Sequence, residues 1–171
     1  MKIREEGRVR SRSALIAIGI NETSSREILG LMLGDSESET SRAEFFTWLK
    51  KRDLRGVDIV VSHNDRGLVR AVRNQFQRTT WQRCQTHFMR NILDATPKSI
   101  QTKIHSRVRT LFTAPDIETA RLLLKKIIED YSGKAPKAME VLESGFHDAP
   151  AVLKLPESIA DVCAPQTEWN G

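Results

Sequence analysis

Between Val57 and Arg83 the sequence passes from a β-branched run, Val57 to Val61 (VDIVV), into the polar stretch Ser62-His63-Asn64-Asp65-Arg66-Gly67. Leu68, Val69, Val72 and Phe76 then recur at helical spacing, and a second extended stretch follows at Thr79 to Arg83. A short β-branched run of this kind is typical of a buried central strand. Apolar residues three and four apart mark one face of an amphipathic helix. Strand, helix and strand in succession restrict this region to an α/β arrangement.

The flanking segments extend that reading in both directions. Ser13 to Ile20 (SALIAIGI) and Glu27 to Leu33 (EILGLML) are apolar runs joined by a polar connection, Asn21 to Ser25, which predicts an antiparallel hairpin with a loop longer than two residues. The acidic, hydroxyl-rich segment Asp35 to Thr40 offers helix caps. Phe45, Phe46, Trp48 and Leu49 then predict a helix that ends near Lys50, Lys51 and Arg52. From Phe88 to about Leu155 the pattern is helical, clearest at Ile100 to Phe112 and Ile117 to Tyr131, with Pro97, Pro115 and Pro136 as punctuation. The expected architecture is a mixed sheet with flanking helices, followed by an all-helical part.

Charge and cysteine usage narrow the functional classes. Lys and Arg number 27 against 22 Asp and Glu, a net charge of +5 that permits an anionic partner without requiring one. Cys84 and Cys163 lie far apart and lack the close, even spacing of a disulfide framework. No signal-like segment opens the sequence, and no apolar run approaches the ~20 residues that span a bilayer. The expectation is a soluble cytoplasmic protein with no membrane partner.

Two longer stretches, GVDIVVSHNDRGLVRAVRNQF and TTWQRCQTHFMRNIL, resemble the core of Mutator-type transposases of bacterial insertion sequences. The hairpin segment SALIAIGINETSSREILGLMLGDSESE and the downstream GFHDAPAVLKLPE resemble the same family at matching places, so the likeness covers Met1 to Glu157. It implies a ribonuclease-H-like fold with a helical insertion. Residues 1–90 are then a partial catalytic core, 91–157 the insertion, and 158–171 a tail expected to be frameshifted and disordered. The implied activity is DNA transposition, that is strand cleavage and transfer by two Mg²⁺ ions held by two Asp and one Glu. Carboxylate oxygens are the ligands such hard cations prefer, and paired metals stabilise both the attacking and the leaving oxygen at phosphorus.

The three acids do not carry over. The first Asp of the family falls just before the segment that aligns with Met1 to Arg4, so it is expected to be missing, as is the amino-terminal region that binds element ends. At the second Asp position, after Ser62, the sequence has His63. An imidazole is neutral or cationic and cannot supply the negative charge a hard cation needs. Asp65, two residues on, is the one nearby substitute. The Glu motif should follow Leu155-Pro156-Glu157, where the sequence instead reads SIADVCAPQTEWNG. A DNA that encodes this tail can be read two bases further on as YRRRLRTTNGMER, which resembles the Glu motif and points to a one-base deletion near the Glu157 codon. The expectation is therefore a transposase-family chain without catalysis and without bound Mg²⁺.

Other candidates follow from the same resemblance. Cys84 and His87 match the family's C/D-x-x-H signature. A zinc site would need further ligands, for which only His105 and His147 are obvious, and packing near the sheet is the plainer role. Arg66, Arg70, Arg73, Arg83 and Arg90, with Arg78, are candidates for DNA phosphate contact, and Trp81 for either base stacking or strand packing. Lys98, Lys103, Arg107 and Arg109 read as ordinary surface charge, and Asp35, Asp53 and Asp58 as caps or surface groups. Weak, non-specific DNA binding is the partner interaction expected. The rival expectation is a non-enzymatic regulator that joins intact transposase subunits.

Overall fold

The connection that joins the two long apolar runs is held by one side chain. Asn21 Oδ1 accepts from the backbone N–H of Thr23 (3.0 Å) and of Ser25 (2.9 Å) and from the Thr23 hydroxyl (2.8 Å), so a polar loop closes without help from the rest of the chain. In the computed structural model, which describes residues 2–5, 8–11, 13–21, 23, 25–34 and 39–149, this turn links β3 (Ser13–Ile20) to β4 (Arg26–Gly34). Before it come β1 (Lys2–Glu5) and β2 (Arg8–Ser11). After it come α1 (Glu39–Lys51), β5 (Ile59–Ser62), α2 (Arg66–Gln75), β6 (Thr80–Arg83), α3 (Gln85–Asp94), a 3-10 turn (Lys98–Ile100), α4 (Gln101–Phe112), α5 (Ile117–Tyr131) and α6 (Pro136–Phe146).

The protein is thus mixed α/β, with six helices and small sheets among the described residues. Among the described residues, the single mixed sheet expected from sequence is replaced by three two-stranded sheets, β1–β2, β3–β4 and β5–β6. Strand β5 accordingly has one strand partner among the described residues, and its residues are exposed or half-buried, unlike a buried central strand. The charged segment that holds β1 and β2 had no strand signal. Its two strands pair antiparallel, Lys2 opposite Ser11 and Glu5 opposite Arg8.

Two compact units divide the chain, Met1–Trp81 and Gln82–Gly171. In the first unit, Phe45, Phe46 and Leu49 of α1 and Ala71 and Val72 of α2 form the buried centre. Leu15, Ala17, Leu29 and Met32 of the hairpin and Val60 and Trp81 of the other sheet pack against it. Gly30 is required here, because a Cβ at this position would run into the Trp48 ring and lie 3.1 Å from Leu49. The β3–β4 register shifts between Ala17 and Ile18, a bulge that keeps Ile18 opposite Ile28 on the outward face.

In the second unit the helices bury one apolar stripe each. Ile104, Val108 and Leu111 of α4 recur at i, i+4 and i+7, and they meet Phe88 and Ile92 of α3, Ala120 and Ile127 of α5, and Leu142 and Phe146 of α6. Asp116 caps α5 by accepting from Thr119 N–H (2.7 Å), and Pro136 opens α6, where a missing N–H goes unnoticed. The expected helical insertion at 91–157 and the tail at 158–171 lie outside the described residues from residue 150 onward.

Candidate functional site

Strand β5 delivers Ser62 to its carboxyl end, and the chain then turns sharply into α2. The turn is local. Ser62 Oγ donates to the His63 carbonyl (3.0 Å), and Asp65 N–H donates to the same carbonyl (2.9 Å). His63 is exposed beyond the strand end. Ser62 Oγ also accepts from the Trp81 indole N–H (2.9 Å), which ties the loop to β6.

Asp65 is engaged as the N-cap of α2. Its Oδ1 accepts from Leu68 N–H (2.9 Å) and pairs with the Arg42 guanidinium. The Leu68 N–H holds its carboxyl below the ordinary carboxylate range; desolvation opposes this, and the Arg42 charge adds a lesser lowering effect. Arg42 is only 3% exposed, so this carboxylate is the partner of a buried cation as well as a helix cap. Sequence reasoning passed over Arg42. The signal was its spacing, since positions 42, 45, 46 and 49 form one stripe of α1 and an arginine on that stripe must be buried or break it.

Arg66, Arg70 and Arg73 follow on α2 at i, i+4 and i+7, and all three are exposed along one side of the helix. Arg70 is partly engaged by Glu39 (3.1 Å), and both side chains of that pair face water. Trp81 packs as a half-buried strand residue on the core of the first unit. Its strand-packing role is visible directly, and its indole N–H is already satisfied by Ser62.

In the second unit Arg83 sits apart from the surface arginines. It is 6% exposed, with its guanidinium carbon 4.1 Å from the centre of the Phe88 ring. Its Nη2 donates to the Asn91 side-chain oxygen (3.0 Å), with that amide turned to suit, and its backbone N–H donates to the Asp148 carbonyl (2.8 Å). Burial draws its pKa down from the ordinary arginine value, and the Asp148 carboxylate opposes that shift. Gly145 leaves the space that Arg83 and Phe88 fill, because a Cβ there would overlap both. The expected DNA contact at Arg83 therefore meets an interior side chain. Arg90 on α3 is exposed.

Cys84 precedes α3, and His87 turns back to it with Nδ1 3.2 Å from Sγ. His105 and His147 are exposed on other elements. Among the described residues no three His, Cys, Asp or Glu side chains are grouped to hold a metal ion. No described helix is long and apolar enough to cross a membrane.

An α/β unit with a histidine at the end of β5, an arginine stripe on the following helix, and a helical unit that opens with a Cys-x-x-His turn define the class of protein to compare. The family description "Transposase, Mutator family" matches residues 1–165. The chain is 43% identical over 151 residues to the transposase for insertion sequence element IS256 in transposon Tn4001 from Staphylococcus aureus, covering 87% of this chain and 39% of that protein. It is 33% identical over 159 residues to the transposase for insertion sequence element IS1081 from Mycobacterium tuberculosis, covering 93% and 38% respectively. A similar match, 33% over 155 residues, joins it to the ISRM5 transposase from Rhizobium meliloti, at 91% and 39%. This chain belongs to the Mutator family of transposases. It spans about two fifths of the length of these relatives. The family match also runs beyond Glu157, where the likeness read from the residues stopped.

Proposed function

We propose that this chain is a non-catalytic member of the insertion-sequence transposases, one that keeps part of a ribonuclease-H-like core and a helical insertion but does not cleave or join DNA. The observation that carries the reading is the chemistry at the end of β5. A pair of Mg²⁺ ions needs hard, negatively charged oxygen ligands there. His63 offers an imidazole, and Asp65 already serves Leu68 N–H and the buried Arg42. The described residues thus do not fit a two-metal centre, and no catalytic step is assigned to them.

What the residues support is contact with DNA phosphates through Arg66, Arg70 and Arg73. Such contacts position a backbone without reading sequence, and they weaken steeply with salt. The test is incubation of the purified chain with supercoiled DNA and Mg²⁺ or Mn²⁺. The expected result is no nicking above a protein-free control, together with salt-sensitive retention of DNA on a filter. Chelator-sensitive nicks, lost on mutation of Asp65, would overturn the reading.

A further inference from the structure

Two loops meet at the end of β5 that lies away from His63. One joins α1 to β5 and the other joins α2 to β6, and each is tied to the other. The Thr79 hydroxyl donates to the Val57 carbonyl (2.6 Å), and Thr80 N–H donates to the Asp58 carbonyl (2.9 Å). Lys50, from the last turn of α1, donates to the Gln75 carbonyl and to Gln75 Oε1 (3.1 Å), with its Nζ 5.0 Å from the centre of the Phe76 ring. Residues of both loops line a cavity of about 280 Å³, whose charged lining is Lys50, Arg55 and Arg78. Leu54, Val57 and Phe76 supply its apolar lining, and no Asp or Glu is among the lining residues.

The three cations are committed to different degrees. Lys50 is half-buried and held by Gln75, so its charge stays at the cavity with or without a ligand. Arg55 pairs with Asp53 (3.0 Å), but both side chains of that pair face water and the pair is weak. The Arg78 guanidinium is exposed and has no ion pair or hydrogen bond among the described residues. The backbone N–H groups of Gly56, Gln77 and Arg78, in the same two loops, also find no acceptor among them. Guanidinium forks bind phosphate oxygens in pairs, and clustered backbone N–H groups add further donors to an anion. Pockets for drug-sized ligands begin near ~300 Å³, so this cavity suits one small group. We propose that it is a phosphate-binding site, which takes a single phosphate group carried by a small molecule or by a nucleic-acid strand.

Val57 and His63 are separated by the length of β5, roughly 20 Å of extended chain. The cavity shares no residue with the loop at His63 or with the arginine row of α2, so failure of either reading leaves the other standing. The experiment is an amide NMR titration of the isotopically labelled full chain at constant ionic strength, with inorganic phosphate and with a short single-stranded oligonucleotide as probes. Expected is a saturable shift of the Gly56, Arg78 and Thr79 amides. Its dissociation constant should rise about tenfold in Arg78→Gln, the loss of one charge-assisted contact. Lys103→Gln, at an exposed lysine of α4, should leave it unchanged. Unmoved amides outside the two loops will show that the Arg78 variant is folded, and Arg55→Gln provides the second variant if it is not. An oligonucleotide that shifts the same amides, alone or in competition with phosphate, assigns the group to a strand. Binding of phosphate with those amides indifferent to the oligonucleotide assigns it to a small molecule. No saturable shift with either probe, shifts that chloride reproduces, or binding indifferent to the arginine variants would each overturn the proposal.

Discussion

At the residue scale, the site at the end of β5 is set by what Asp65 already does. Its carboxylate caps α2 and pairs with Arg42, which is nearly fully buried. Asp65→Ala should therefore destabilise the first unit by about 1–2 kcal/mol through the lost cap, with a further loss from removing one partner of the buried Arg42, both read from urea unfolding. The same group gives the chain a pH dependence. Its folded pKa lies below the ordinary value, so its stabilisation is complete above the unfolded carboxylate pKa and is lost as pH falls through the folded one. The difference in urea midpoint between the wild-type protein and Asp65→Asn should shrink as pH drops below about 4. A difference that stays constant down to pH 2 would mean that Asp65 carries no folding-linked charge. Gln82 makes the opposite case. It is fully buried, and neither its amide nitrogen nor its amide oxygen has a hydrogen-bond partner. An unsatisfied buried amide costs roughly 1–3 kcal/mol, so Gln82→Leu should raise stability by about 1 kcal/mol. A loss of stability on calorimetry would reveal a partner for that amide.

At the element scale, α2 is the element through which the proposed DNA contact would run. Its buried side holds Ala71 and Val72, which leaves Arg66, Arg70 and Arg73 in one exposed row. Removing Arg66 and Arg73 together should lower the slope of log affinity against log salt by about one per arginine. Removing Arg83, which lies under Phe88, should leave the slope unchanged and lower the melting temperature instead. Most elements were legible because their periodicity is strong. The run Ile117 to Tyr131 forms α5 with those bounds, and Thr79 to Arg83 yields β6 one residue shorter. The role of Arg83 was not legible, since an arginine in a family-like stretch looks the same whether it faces phosphate or stacks on a ring 4.1 Å away. The place of His63 just past a strand end was legible because it needs only the β-branched run and the polar loop that follows. The pairing of Asp65 with Arg42 was not, because Arg42 lies twenty-three residues earlier on another helix. Strands β1 and β2 were missed because alternating charge in a four-residue strand carries no apolar signal.

At the scale of the whole molecule, the two units differ in how much apolar surface they enclose. Among the described residues, fourteen buried side chains form the core of the helical unit and five that of the first unit. Stability of a local unit follows the apolar contacts it buries, so opening should be easier in the unit with the smaller core. Amide hydrogen exchange on the dilute chain should find the slowest amides in α4 and α6, around Ile104, Val108 and Leu142, and much faster exchange in β3 and β4. The hairpin has a reason to be weak in isolation, because half of its apolar surface faces water and offers nothing toward the entropy of ordering two strands. Hairpin amides as slow as those of α4 would instead mean that the small core under α1 and α2 holds the hairpin as firmly as the larger core holds the helices.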